Sequence, residues 1–258
     1  MENIKFETML LETTKLPMVK IDRESFLRKE LQNRYTKEIV EKAIQYNPAY
    51  AGICVEDINK IAKSCITAET MKVSTISATA GLPGGLAIIG TIPADLAQYF
   101  GHILRILQKL LYLYGWSDLG LTSRELNDET MNLLTLFIGV MFGVNGAVGT
   151  INKLAVQVAK QIAKKLPQKA LTKGMIYPIV KKIATLLGIK MTKQIFAGGV
   201  AKVIPILGAF ISGGMTFISF KPMSEKLRKY LETTKLASVE YYKKMSLETI
   251  IVEETTDI

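Results

Sequence analysis

The chain contains one histidine, His102, so any imidazole chemistry it performs passes through that ring. Asp95, Gln98 and Arg105 recur around it at intervals of three and four residues, which places all four on one side of a helix. A carboxylate, an amide, an imidazole and a guanidinium in that register can line a pocket for proton transfer or for a polar headgroup. They can equally hydrogen-bond along the helix as a structural ladder. Spacing alone leaves both open.

The other residues with chemical character are cationic. From Thr130 to Ser224 the chain runs 95 residues without Asp or Glu and with twelve lysines, a local charge of +12 against a net +10 for the whole protein. Lys153, Lys160, Lys164, Lys165, Lys169, Lys173, Lys181, Lys182, Lys190 and Lys193 make up most of it. Soluble surfaces mix both signs of charge, so a lysine-only, Gly-rich, apolar block points to an anionic lipid surface. Readers of nucleic acid favour the forked guanidinium of Arg, whereas attraction to anionic lipid needs only positive charge. The expected partner is therefore anionic membrane lipid and not nucleic acid.

Motifs for common chemistries are missing. The sequence has no GxxxxGK[ST] phosphate loop, no HExxH pair, no GxSxG elbow and no GxGxxG turn. Cys54 and Cys65 lack a CxxC spacing and read as small apolar residues of a helical core in a reducing compartment. No metal, cofactor or catalytic residue is expected, and the balance lies against an enzyme. Met1 to Lys15 mixes acids and lysines without an apolar run, unlike a secretory signal; the cytoplasmic side is the expected location.

Helices must position these groups. Residues 1–20 show no strong period and read as an arm. Asp22 or Ser25 can cap a helix running to about Ile44, ended by Tyr46-Asn47-Pro48. A second helix fits 56–68. The uncharged run Val73–Ala94 contains Gly81-Leu82-Pro83-Gly84-Gly85 and reads as a helix, a tight turn and a short segment. From Asp95 to Tyr114 a long amphipathic helix carries Leu96, Phe100, Ile103, Leu107, Leu110 and Tyr114 on one face, with the His102 stripe and Lys109 opposite. Gly115 is placed to stop it. Trp116, just beyond, suits an interfacial anchor or the core.

Thr130–Asn152 is uncharged for 23 residues, long enough for a membrane span or a buried helix. Gly139, Gly143, Gly146 and Gly149 recur every three or four residues, so they share one helix face that lets a second backbone approach. A basic amphipathic helix over 150–166 comes next, then a second lysine-bearing helix interrupted near Pro178 and Gly188. Val203–Phe220 is a third uncharged run, punctuated by Pro205, Gly208, Gly213 and Gly214. A charged helix fits 224–244, and the acidic end reads as a tail.

The run GLPGGLAIIGTIPADLAQYFGHILRILQKLLYLYG, Gly81 to Gly115, resembles the EcsC family. The resemblance lies in the Gly-Leu-Pro-Gly segment, the Pro93-Ala94-Asp95-Leu96 helix start and the closing Tyr114-Gly115. Pro205, Gly208, Gly213 and Gly214 are similar to that family's second Pro/Gly-rich helix. The resemblance spans residues 25 to 235 and implies an all-helical bacterial protein with a faint link to transport or secretion. It transfers no catalytic residue.

The expectation is an all-α, multi-helix bundle with Gly/Pro-rich apolar helix hairpins: an arm (1–20), an EcsC-like helical domain (21–245) and an acidic tail (246–258). The leading function is a peripheral protein on the cytoplasmic face of the inner membrane. There it binds anionic lipid through the lysine block and scaffolds or regulates a membrane process, with a membrane transporter or other membrane protein as a further partner and oligomerisation open. The alternatives are a membrane-inserting or pore-forming protein using the Gly-rich helices, and a lipid carrier or enzyme with a pocket near Asp95 and His102.

Overall fold

The computed structural model describes residues 6–79, 88–89, 92–121, 128–160, 173–186 and 213–246. These residues are all-α, apart from a two-residue antiparallel ladder of Ile88–Ile89 with Ile92–Pro93. The helices are α1 (Phe6–Thr14), α2 (Arg23–Leu31), α3 (Lys37–Gln45), α4 (Val55–Thr79), α5 (Ala94–Leu113), α6 (Asp128–Met141), α7 (Asn145–Lys160), α8 (Lys173–Leu186) and α9 (Gly213–Leu231). Short 3-10 turns occupy Pro17–Val19 and Lys235–Ala237, and residues 239–246 are helical.

The first segment is not an arm. Phe6, Met9 and Leu10 of α1 are buried against α5, Phe6 packing edge-on to Phe100. The single helix expected over 22–44 is two. Asp22 caps α2 by accepting a hydrogen bond from Ser25 N at 2.8 Å. The Leu31 carbonyl then takes the amides of Arg34 and Tyr35, and Thr36 caps α3. Arg23 ties the pair together, its guanidinium donating to the carbonyls of Ala43, Ile44 and Tyr46 at the end of α3 and to Trp116 O. These are the orphan carbonyls that every helix leaves at its C-terminus.

Helix α5 is the axis. Phe100, Ile103, Leu104, Ile106, Leu107, Leu110 and Leu111 are inaccessible to solvent, so the helix is buried on more than one face. It is surrounded by α1, α2, α4 and α9, and α9 lies along both α4 and α5. It ends at the glycine expected to stop it. Gly115 adopts φ +91°, Trp116 N donates to Leu111 O at 2.9 Å and Gly115 N to Tyr112 O at 3.3 Å, the paired bonds of a Schellman cap.

The 23-residue uncharged run is interrupted. Gly143 takes φ +76°, and a second Schellman cap forms from Val144 N to Gly139 O and Gly143 N to Val140 O. Helix α6 therefore has 14 residues, about 21 Å at 1.5 Å per residue, against a hydrocarbon core of about 30 Å. Among the described residues no helix is long and apolar enough to cross a membrane. Instead α6 packs on α7, α8 and α9. The 81–85 turn, most of the third uncharged run and the acidic tail lie outside the described residues.

Candidate functional site

The His102 stripe converges on a residue that the sequence pattern alone does not single out. Glu69 lies on the inner face of α4, one turn beyond Cys65 and Ile66 and one turn before Val73, and is completely buried. Its carboxylate accepts three charge-assisted hydrogen bonds from α5: His102 Nδ1 at 2.7 Å and Arg105 Nε at 3.0 Å on Oε1, and Lys109 Nζ at 2.8 Å on Oε2. The donors sit at i, i+3 and i+7 of one helix, so a single carboxylate on the neighbouring helix can meet all three.

Burial alone would push the Glu69 carboxyl upward. The hydrogen bonds from His102 and Lys109 and the charges of Lys109 and Arg105 outweigh it and hold the group well below the usual carboxylate range. An ionised Glu69 fixes the imidazole, because Nδ1 must carry the proton it donates. Among the described residues the other ring nitrogen, Nε2, is buried without a hydrogen-bond partner. Helix α5 also holds the Pro17–Val19 turn. Arg105 Nη1 donates to Met18 O. Gln108 Nε2 donates to Val19 O at 2.8 Å, and its Oε1 accepts from Ile21 N at 3.3 Å. Gln98 is half-buried one turn before His102; Asp95 lies in the first turn of α5, its side chain outside the described residues.

His102, Arg105 and Lys109 all donate to Glu69, and His102 is only 3% exposed. Chemically this is a clamp joining α4, α5 and the Pro17–Val19 turn, its bonds running across to Glu69 and not along α5 from one stripe residue to the next. A second polar junction does the same for α9. Arg228 donates to Glu225, Glu232 and Asn59 at 2.7–2.9 Å, and Tyr114 OH donates to the same Asn59 oxygen. Among the described residues no group of three or more His, Cys, Asp or Glu is arranged to hold a metal ion.

Among the described residues the lysine block takes the outer surface. On α7, Ala147, Ile151, Leu154, Ala155 and Val158 point inward and Lys153 is exposed. On α8, Ile176, Ile179, Val180 and Ile183 are buried while Lys181 and Lys182 are exposed. Lys160 closes α7 and Lys173 opens α8; their side chains, and Lys164, Lys165, Lys169, Lys190 and Lys193 entirely, lie outside the described residues.

The four glycines do not share one face. The break at Gly143 divides them. Gly139 is the close-approach position, where an added Cβ would stand 2.8 Å from Ile179 Cγ2 and 3.1 Å from Ala147 Cβ. Gly146 and Gly149 face open space on α7. Trp116 is a core residue with no solvent exposure, edge-on to Phe137 at 5.0 Å. Of the two cysteines, Cys65 is buried and Cys54 is exposed.

No family model matches the chain, and neither curated proteins nor solved structures give a match.

Proposed function

We propose that the protein is a peripheral membrane protein that meets anionic lipid through the lysines of the 130–224 segment. The observation that carries this reading is that α7 and α8 direct their apolar residues into the protein and present Lys153, Lys181 and Lys182 outward, in a stretch with no carboxylate of its own. With the apolar faces committed to the core, the contact with lipid is electrostatic and superficial. Each lysine held near an anionic surface contributes about 1 kcal/mol, so the contact strengthens with every lysine engaged and weakens with salt. On this reading the protein sits on the cytoplasmic face of the inner membrane as a scaffold or regulator. The EcsC likeness makes a membrane transporter the protein partner to test first, and the Gly/Pro-rich segments at 81–85 and 203–214 are proposed as helix-hairpin turns.

The test is flotation with phosphatidylcholine vesicles with and without phosphatidylglycerol, for the native chain and for a Lys153→Gln, Lys181→Gln, Lys182→Gln variant. The native protein should float only with anionic vesicles, and the variant should float less. Equal flotation with both vesicle types, or none with either, contradicts the proposal.

A further inference from the structure

Lysines alone give a loose, reversible attachment, and a second surface element is the usual complement. One is built at the junction of α3 with the C-terminal helical residues. Four tyrosine rings run in an unbroken series of contacts: Tyr46 to Tyr50 at 4.6 Å between centroids, Tyr50 edge-on to Tyr242 at 5.6 Å, and Tyr242 edge-on to Tyr241 at 5.3 Å. A lysine stands over each flank. Lys42 Nζ is 5.2 Å from the Tyr50 ring and Lys235 Nζ 5.4 Å from the Tyr241 ring.

The strip is held rigidly from beneath. Buried Asn47 donates from Nδ2 to Tyr242 OH at 2.9 Å and accepts from Tyr50 N at 2.8 Å, and Tyr241 N donates to Ser238 Oγ at 3.1 Å. Tyr46, Tyr50 and Tyr241 are half-buried, and Lys42 and Lys235 are exposed. Among the described residues neither lysine forms an ion pair. The nearby Glu41 is taken by Arg28 and Glu240 by Lys243.

The strip also adjoins the lysine face. The Lys235–Ala237 turn packs against α7, and Tyr230 OH donates to Asn152 Oδ1 at 2.9 Å, beside Lys153. We infer that Tyr46, Tyr50 and Tyr241, with Lys42 and Lys235, seat the protein at the headgroup level of an anionic bilayer, next to the lysines of α7. This rests on the lipid-binding function proposed for the lysine block and names a second contact within it. Tyrosine suits that depth because its ring is apolar and its hydroxyl polar. Stacking of nucleic-acid bases fits less well, since the ring faces of Tyr50 and Tyr241 are covered by the protein's own ammonium groups and the strip contains no Arg.

The test uses the full chain with phosphatidylcholine–phosphatidylglycerol vesicles carrying brominated acyl chains. Native Trp116 is buried, so its emission should be unaffected. The tryptophan introduced by Tyr241→Trp should be quenched, most strongly by bromines near the headgroup. Tyr46→Ala with Tyr241→Ala should lower vesicle partitioning about ten-fold, as should Lys42→Gln with Lys235→Gln, which leaves the rings in place should the alanine variant fail to fold. If the native chain binds and the reporter stays unquenched with partitioning unchanged in the variants, the strip is not a lipid contact while the lysine reading stands. If the native chain binds no anionic vesicle, both fall. Tyrosine-dependent retention of a single-stranded oligonucleotide, without vesicle binding, also overturns the inference.

Discussion

Replacing Glu69 by glutamine removes the charge around which α4 and α5 are joined while keeping the shape of the side chain. The carboxylate accepts three charge-assisted bonds, each contributing about 1.5–3 kcal/mol. The full sum is not lost, because an amide oxygen in the place of Oε1 still accepts from His102 and Arg105, and Arg105 keeps the Met18 carbonyl. Arg105 and Lys109 are 19% and 12% exposed and regain some water. Breaking a buried ion pair from one side costs about 3–5 kcal/mol, and this partial relief places Glu69→Gln near the lower end, about 3 kcal/mol. In urea that is a midpoint shift of about 1 M.

The pH dependence is the sharper part of this prediction. The folded Glu69 is held below its ordinary value of 4.5, so its stabilisation is complete above that pH and is lost as pH falls toward the depressed folded value. The gap between native protein and variant should therefore narrow by about 1.4 kcal/mol per pH unit below the ordinary value. Urea unfolding followed by circular dichroism at neutral pH and in acid reads both quantities. A loss under about 1 kcal/mol at neutral pH, or a gap that does not change in acid, refutes the clamp.

The glycines should separate by environment in thermal melts. Gly139→Ala should destabilise by about 1–3 kcal/mol through the clash with Ile179, and Gly149→Ala should stabilise by about 0.5–1 kcal/mol in the open interior of α7. Gly115→Ala should cost more than about 1 kcal/mol, its φ being +91° and Leu236 O standing 2.8 Å from the new methyl. Thiol titration should find Cys54 reacting in the folded protein and Cys65 only on unfolding, since burial pushes the Cys65 thiol up to about 12. Arg23→Met should lower stability by about 2–3 kcal/mol as four backbone carbonyls lose their donor, measured by denaturant unfolding.

What is legible in the sequence is local. The extent of α5, its apolar face and its stop at Gly115 follow from helical periodicity and from a glycine that can adopt positive φ. The breaks are harder. Between α2 and α3 the apolar spacing continues through Tyr35, so only the capping chemistry of Thr36 marks a boundary. Four glycines three or four apart share a face only on an unbroken helix, and Gly143 is also the residue best able to end one. Glu69 is missed when the second helix is closed at residue 68. Extending the stripe of Ile58, Ile61, Ala62, Cys65 and Ile66 by one turn places a carboxylate on the buried face. Its three donors lie 33 to 40 residues further along the chain, and local pattern does not reveal which distant cation meets a buried acid. The Phe6, Met9 and Leu10 spacing of α1 is present but brief, and only its packing on α5 gives it meaning.

The central claim is that the lysines of the acid-free 130–224 segment meet anionic lipid by charge. Its most direct measurement is the partition coefficient of the purified protein on vesicles of graded anionic content, repeated across a series of salt concentrations. The account predicts a steep rise with anionic fraction that collapses as salt is raised. A coefficient indifferent to both contradicts it.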